Sequence, residues 1–424
     1  MTQNYIIKMA FRNISRNRRR TLLSIVAIGM AVFFTCFMKS YITGLWSNVK
    51  GNTFIFETGH IKVLNRDYLK EEKLMPLDLN IDGYGKDYTE VIGLIKNVKG
   101  VKQIFPRTRF GAIINRENGM KNVMGFAFAP ALEKPVNSLE AKIVEGRMFR
   151  EYSPGQHEMV MGRAMAAELG VKTGDKITLM TKTAEEGLGH MTFRITGLSS
   201  YGVAVIDKSF FFISLSTAAR FLKMENSVME LVIFLDDDTK SRAVTAEINR
   251  ILNSRPGNPY QAYSWEEQGN GQYYEMFVKM SGIYNVIFVI FLVLASLVIV
   301  NTVMMVIYER MKEIGTIAAM GMRGSAIVRL FFFEAVIVSI ISSFSGTVLG
   351  GIVSYIASRL GINVGKLTGG GMSIRFSEII YPYIGWDLLL FSFVFGVVVA
   401  SVCSYIPALR AARIEPVEAL KGVY

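Results

Sequence analysis

Few residues in this chain have the type and spacing that chemistry requires. Its three histidines, His60, His157 and His190, are scattered through polar sequence without metal-ligand spacing. Its two cysteines, Cys36 and Cys403, both lie in hydrophobic runs, where they read as small buried apolar residues rather than a disulfide or zinc pair. The carboxylates Asp236-Asp237-Asp238 lack the further spaced ligands and the loop glycine of a calcium site, and read as a solvated strand-to-helix turn. There is no H-E-x-x-H, no paired-Cys motif and no nucleophile-base signature. The phosphate-cradling G-x-x-x-x-G-K-[ST] is also absent, so the chain does not hydrolyse ATP by a Walker mechanism. The expectation is a non-catalytic protein with no resident cofactor or metal.

The richest pattern is one of charge. In Glu309-Arg310-Met311-Lys312-Glu313-Ile314-Gly315-Thr316-Ile317-Ala318-Ala319-Met320-Gly321, two acids one helical turn apart form an edge with Lys312 beside it. The segment follows an apolar run directly and breaks at Gly321 and Gly324. A mere membrane-flanking loop requires less than this.

The elements that position this segment follow from composition. Half of the residues are hydrophobic (51%) and 19% are charged, against roughly a quarter charged in soluble domains. Four apolar segments are long enough to cross a bilayer: residues 21–43, 276–308, 326–358 and 383–409. The first follows a polar leader too long for a signal-peptide n-region, lacks a small-residue cleavage pattern, and is expected to be a retained anchor. Lys39 near its end is expected to snorkel to the interface. The net charge of +12 is concentrated beside spans, most densely in Arg16-Asn17-Arg18-Arg19-Arg20. No basic stretch is interleaved with aromatic residues, which argues for membrane topology and lipid contact and against nucleic acid.

Lys8, Arg12, Arg16 and Arg18–Arg20 precede span one. Arg310, Lys312, Arg323 and Arg329 lie between spans two and three, and Arg410, Arg413 and Lys421 follow span four. Both termini and the 309–325 segment are therefore expected in the cytoplasm of a multi-pass inner-membrane protein. Residues 44–275 and the short loop 359–382 then face the periplasm. Span three is rich in Ser and Gly, and its Gly346-x-x-x-Gly350 suits either intrachain packing or a dimer face. Glu334 is the acid within span three, expected at the cytoplasmic interface. The lack of deeper ionisable groups argues against a secondary transporter.

The outer region alternates strand and helix signals. Ile61–Leu64, Lys176–Leu179, Phe193–Ile195 and Leu231–Leu235 read as strands. Residues 89–98, 162–169, 216–224 and 240–252 read as helices. The expected fold is thus four transmembrane helices plus a large α+β domain, in two lobes, inserted between helices one and two. The Pro- and Gly-containing stretch 253–271 is expected to be its stalk. Within residues 1–20, Ile7, Ala10, Phe11 and Ile14 share one face of an amphipathic helix lying on the inner leaflet.

Taken together these motifs resemble the FtsX-like, MacB-like (type VII) family of ABC transporter permeases. The resemblance rests on E-R-x-x-E-I-G-x-x-x-A-x-G at Glu309–Gly321, on Pro407–Leu420, on Arg12–Asn17, and on Glu145-Gly146-Arg147 with Gly170–Leu179 in the outer domain. It implies two permease subunits, identical or different, around a cytoplasmic ABC ATPase dimer that binds ATP and Mg. It further implies that closure of that dimer moves the spans and does work in the periplasm. Glu309, Arg310, Lys312, Glu313, Ile314, Gly315, Ala319 and Gly321 would form the ATPase-coupling region. Arg12, Arg16, Arg410, Arg413 and Pro416 would line the cytoplasmic interface, and the tail would comprise residues 410–424. A four-span permease without a fused ATPase looks like the lipoprotein-releasing (LolC/LolE) branch, with lipoprotein cargo or a periplasmic partner. The hairpin Lys182–His190 departs from the chaperone-recruiting pattern, being short and without proline, which argues against chaperone capture by this chain. A MacB-like permease for efflux or export is the alternative within the family, and a signalling or scaffold protein the alternative outside it.

Overall fold

A computed structural model describes residues 18–116, 119–134, 139–151, 155–201, 204–268, 272–309, 316, 319–320, 322, 324–363 and 379–411. In chain order, helix α1 (Arg18–Thr53) ends in a π-helical turn, Phe54–Thr58, and is followed by β1 (Ile61–Asn65), α2 (Thr89–Ile95), β2 (Val101–Arg116) and β3 (Gly119–Phe128). Next come β4 (Ile143–Gly146), β5 (His157–Gly162), α3 (Arg163–Leu169), β6 (Lys176–Lys182), β7 (Leu188–Ser199), β8 (Phe210–Ser214) and α4 (Leu215–Leu222). The chain continues through β9 (Glu230–Leu235), α5 (Ser241–Asn253) and β10 (Tyr260–Ser264) to three long helices, α6 (Gln272–Glu309), α7 (Gly324–Leu360) and α8 (Trp386–Ala411). It divides into a helical unit (residues 1–47, 280–362 and 380–424) and an outer unit (residues 48–279 and 363–379).

In the helical unit, α1, α6, α7 and α8 are each long and apolar enough to cross a membrane. The glycines of α7 make a close contact within the chain. A Cβ on Gly346 would lie 2.3 Å from Gly29 O, and one on Gly350 would lie 2.9 Å from Cys36 Cβ, so this stripe seats α7 against α1 of the same chain. Gly44 does not stop α1. It lets the helix approach Tyr381 O, which a Cβ there would meet at 2.3 Å, and α1 runs on to Thr53. Several hydroxyls inside this unit bond back to their own helices, as Thr35 to Ala31 O (2.9 Å), Ser342 to Val338 O (2.7 Å) and Ser392 to Leu388 O (2.9 Å), which satisfies those three without water. Lys39 lies over the rings of Phe288 (4.8 Å) and Phe391 (5.7 Å), a cation–π arrangement. Glu334 is buried. Cys36 and Cys403 are free thiols, the first buried and the second half-buried.

The outer unit is the α+β domain. Its strands run in the order β10-β1-β9-β2-β3-β8-β5-β7-β4, and β6 bridges β2 and β7. Strands β2, β3, β8, β5, β7 and β6 therefore close on themselves, with β3–β8 and β5–β7 parallel and the other pairs antiparallel. Alternation sets the inside of this barrel: Phe110, Ala112 and Ile114 on β2 point inward with Ile177, Leu179, Phe193, Ile195 and Phe211. The second lobe packs α2 and α5 on β1, β9 and β10 around Ile61, Val91, Ile95, Ile233, Ile248 and Tyr260. Strand β10 falls within the stretch expected to be a stalk. It belongs to the sheet because Tyr260–Ser264 pairs with β1 along its whole length.

Candidate functional site

Of the expected coupling residues, Glu309 ends α6 and Ala319 occupies an exposed helical position, while Arg310, Lys312, Glu313, Ile314, Gly315 and Gly321 lie outside the described residues. Arg410 falls in the last turn of α8; Arg12, Arg16, Arg413 and Pro416 also lie outside the described residues. What the structure does build, from residues far apart in sequence, is a junction inside the outer unit where the chain arrives from α1.

At that junction Phe54–Thr58 winds as a π-helix, and its carbonyls are taken up by side chains from the domain. Arg107 Nη1 donates to Ile55 O (2.5 Å), Lys62 Nζ to Glu57 O (2.5 Å) and Gln268 Nε2 to Thr58 O (3.1 Å). The chain then turns at Gly59, with φ of 60°; a Cβ there would sit 2.4 Å from Val232 Cγ1, so glycine is required for both reasons.

Arg107 and Arg109, two apart on β2, share one face of the strand. Arg107 forms a two-pronged pair with Glu133, at 2.6 and 2.8 Å, both residues being 1% exposed, and lies over the Phe126 ring at 5.1 Å. Arg109 bridges Glu57 and Glu230, each at 3.1 Å, and Lys62 completes the lattice with a 2.8 Å contact to Glu230. Three cations thus face three carboxylates. Burial works against the carboxylate of Glu230, but Arg109 and Lys62 outweigh it and hold it below the ordinary range. Burial and the neighbouring Arg109 pull Lys62 down, while the guanidinium groups of Arg107 and Arg109 do not deprotonate. Such a lattice adds little net stability, but it is costly to break on one side only. It fixes position.

Beside it lies an aromatic cluster. Phe54 packs against His60 (4.8 Å) and Trp265 (5.6 Å), and Trp265 in turn meets Tyr274 (6.0 Å) and Phe277 (5.5 Å) at the start of α6. Lys50, ion-paired with Asp238, sits over Phe54 and Trp265 at 5.3 and 5.7 Å. The Asp236–Asp238 turn therefore has one member engaged here, and Asp237 accepts from Thr239 N at 3.1 Å. His60 Nδ1 accepts from Leu235 N–H at 3.0 Å, and burial pulls its pKa below the usual imidazole range.

None of these groups pairs a nucleophile with a base. A cleft of about 640 Å³ beside β2 and β6 is lined among others by Glu71, Asp78, Thr181, Lys182 and Glu186. The junction ties the incoming chain to the sheet through paired charges and packed rings. Sequence reasoning overlooked it, although one signal was present: arginines at alternate positions in the otherwise apolar Phe105-Pro106-Arg107-Thr108-Arg109-Phe110 call for buried partners.

Comparison with known proteins gives this arrangement a family. The profile described as "MacB-like periplasmic core domain" matches residues 21–251, more than half of the chain, and that described as "FtsX-like permease C-terminal" matches residues 285–416. An uncharacterized ABC transporter permease of Methanocaldococcus jannaschii is 23% identical over 98% of both chains. The lipoprotein-releasing system transmembrane protein LolC of Neisseria meningitidis is 21% identical over 80% of this chain and 83% of its own. The crystal structure of the periplasmic region of MacB from Actinobacillus actinomycetemcomitans aligns with 51% of this chain and 92% of that one, at 14% identity and a TM-score of 0.34. The chain belongs to the ABC transporter permeases that join a MacB-like periplasmic core domain to an FtsX-like permease C-terminal region.

Proposed function

We propose that this permease is the membrane subunit of an inner-membrane assembly in which a separate ATPase, holding ATP and Mg, drives movement of the outer domain to release lipoproteins into the periplasm. The observation that carries the reading is the junction: the chain arriving from α1 is gripped inside the outer unit by Arg107, Lys62 and Arg109, so a pull on that incoming segment loads the sheet. The long match to LolC, covering four-fifths of both chains, supports lipoprotein release as the work done. In this reading both termini are cytoplasmic, and Glu309, Arg310, Lys312, Glu313, Ile314, Gly315, Ala319 and Gly321 dock on the ATPase. Charged pairs there keep register across the interface, and a second permease subunit completes the assembly. A MacB-like mechanotransmission role in efflux or export is the second reading, favoured by the MacB-like core match and by the tight Thr183–Gly187 turn between β6 and β7.

The test is affinity purification of the detergent-solubilised chain from its native membrane, with partners and lipids identified by mass spectrometry. A Walker-motif ATPase with acylated lipoproteins is the expected result. The ATPase with a periplasmic adaptor and an outer-membrane channel would select export instead. Recovery of no ATPase would sink both and leave the scaffold. In parallel, Glu313→Lys is expected to reduce ATPase association while leaving membrane insertion intact; normal assembly and activity would remove the coupling assignment.

A further inference from the structure

We infer that Trp265 is a positioning residue, the pivot on which the first turns of α6 move against the end of α1 and the outer domain; the inference rests on the ATP-driven reading above. The two helices meet the domain by different physics. The end of α1 is held by directional, charged bonds, with Arg107 on Ile55 O, Lys62 on Glu57 O and Arg109 on the Glu57 carboxylate. Sliding or rolling that segment breaks all three.

The start of α6 is met by rings. Tyr274 and Phe277 lie against the Trp265 indole at 53° and 82°, and Phe54 lies against it at 66°. Edge-on contacts between rings are attractive over a range of angles and separations, so α6 can turn on the indole without losing contact with it. The backbone of Trp265 is fixed, because its N–H donates to His60 O at 3.1 Å. The buried indole N–H has no hydrogen-bond partner among the described residues, so among them no directional bond resists rotation of the ring. Lys50 over the ring, ion-paired with Asp238, keeps the indole against the α1 side, so the ring follows α1 while α6 turns on it.

The experiment uses the full chain with its co-purified ATPase in detergent or nanodiscs. Trp46→Phe and Trp386→Phe leave Trp265 as the sole tryptophan of the three. The expected result is a change in its emission on ATP binding that reverses on hydrolysis. A second readout places spin labels at Glu247→Cys on α5 and Glu275→Cys on α6 in a Cys36→Ala, Cys403→Ala background. The label distance is expected to shift with nucleotide. Trp265→Ala is expected to lose that shift while ATPase turnover stays within about two-fold, and Trp265→Phe, which keeps a ring in place, is expected to restore it. The pivot is overturned if the complex hydrolyses ATP with no change in Trp265 emission, or if Trp265→Ala retains the full distance shift. A chain that yields no ATPase and no nucleotide response in any form overturns the permease-coupling reading itself, and the pivot falls with it.

Discussion

Replacing Arg107 with methionine tests whether the junction depends on its charge lattice. The substitution keeps most of the side-chain volume but takes the guanidinium from Glu133 and from Ile55 O. Breaking one side of a buried pair costs about 3–5 kcal/mol. The unpaired Ile55 carbonyl adds ~1 kcal/mol or more. The expected loss is therefore about 4–6 kcal/mol, or roughly 8–24 °C in the unfolding temperature of a unit this size. The double variant Arg107→Met/Glu133→Leu removes both charges and is expected to recover most of the loss. Thermal unfolding of the detergent-solubilised chain reads both. A deficit below ~1 kcal/mol, or a double variant no better than the single, would refute the account.

Two further outcomes follow from the geometry. Gly346→Leu places a side chain against the backbone carbonyl of Gly29, with even its Cβ at 2.3 Å. It is expected to force α7 off α1 and lower the stability of the helical unit by several kcal/mol, about 1–3 or more. Gly351→Ala, whose Cβ would meet only the end of the Leu389 side chain at 3.0 Å, should be far milder, and equal effects in a detergent melting assay would refute the packing assignment. His60 is held below its ordinary pKa by burial, so the folded chain binds fewer protons than the unfolded chain below about pH 6.5. Its contribution is complete above that pH and is lost as pH falls toward the folded value. His60→Gln is expected to flatten the fall in urea midpoint between about pH 7.5 and 5.5 without abolishing it, since His157 is shifted the same way by burial and Arg220; an unchanged slope would count against it.

The helices were legible because each writes its own signal locally. Four apolar windows become α1, α6, α7 and α8, and the amphipathic spacing of residues 240–252 becomes α5. Two strands covered on both faces, β5 and β8, were missed, although β9, equally covered, was read. In β5 and β8, in Phe210-Phe211-Phe212-Ile213 for example, nearly every residue is buried, so there is no alternation to read. Strand β10 was misplaced because Pro256 and Gly257 beside it signal a loop, and its membership of the sheet comes from β1, nearly two hundred residues away in sequence. The junction was harder still. Glu133, Glu57 and Glu230 reach Arg107 and Arg109 across separations of 26, 52 and 121 residues, a pairing that no local pattern encodes. The G-x-x-x-G in α7 was visible as a close-packing device, but its partner was not, because the same motif serves contacts within a chain and between chains.

The placement of Trp265 has a consequence for how such proteins diversify. Phe54, where the chain comes in from α1, and Phe277, where it departs along α6, both touch this one indole. The outer domain thus behaves as an insert whose two ends are neighbours, the arrangement in which whole domains are most readily exchanged. Recombination could swap everything between those two phenylalanines for another barrel and leave the helices undisturbed. A lineage could in this way acquire new periplasmic business on an inherited membrane chassis, and a designer could graft a foreign module at the same two points.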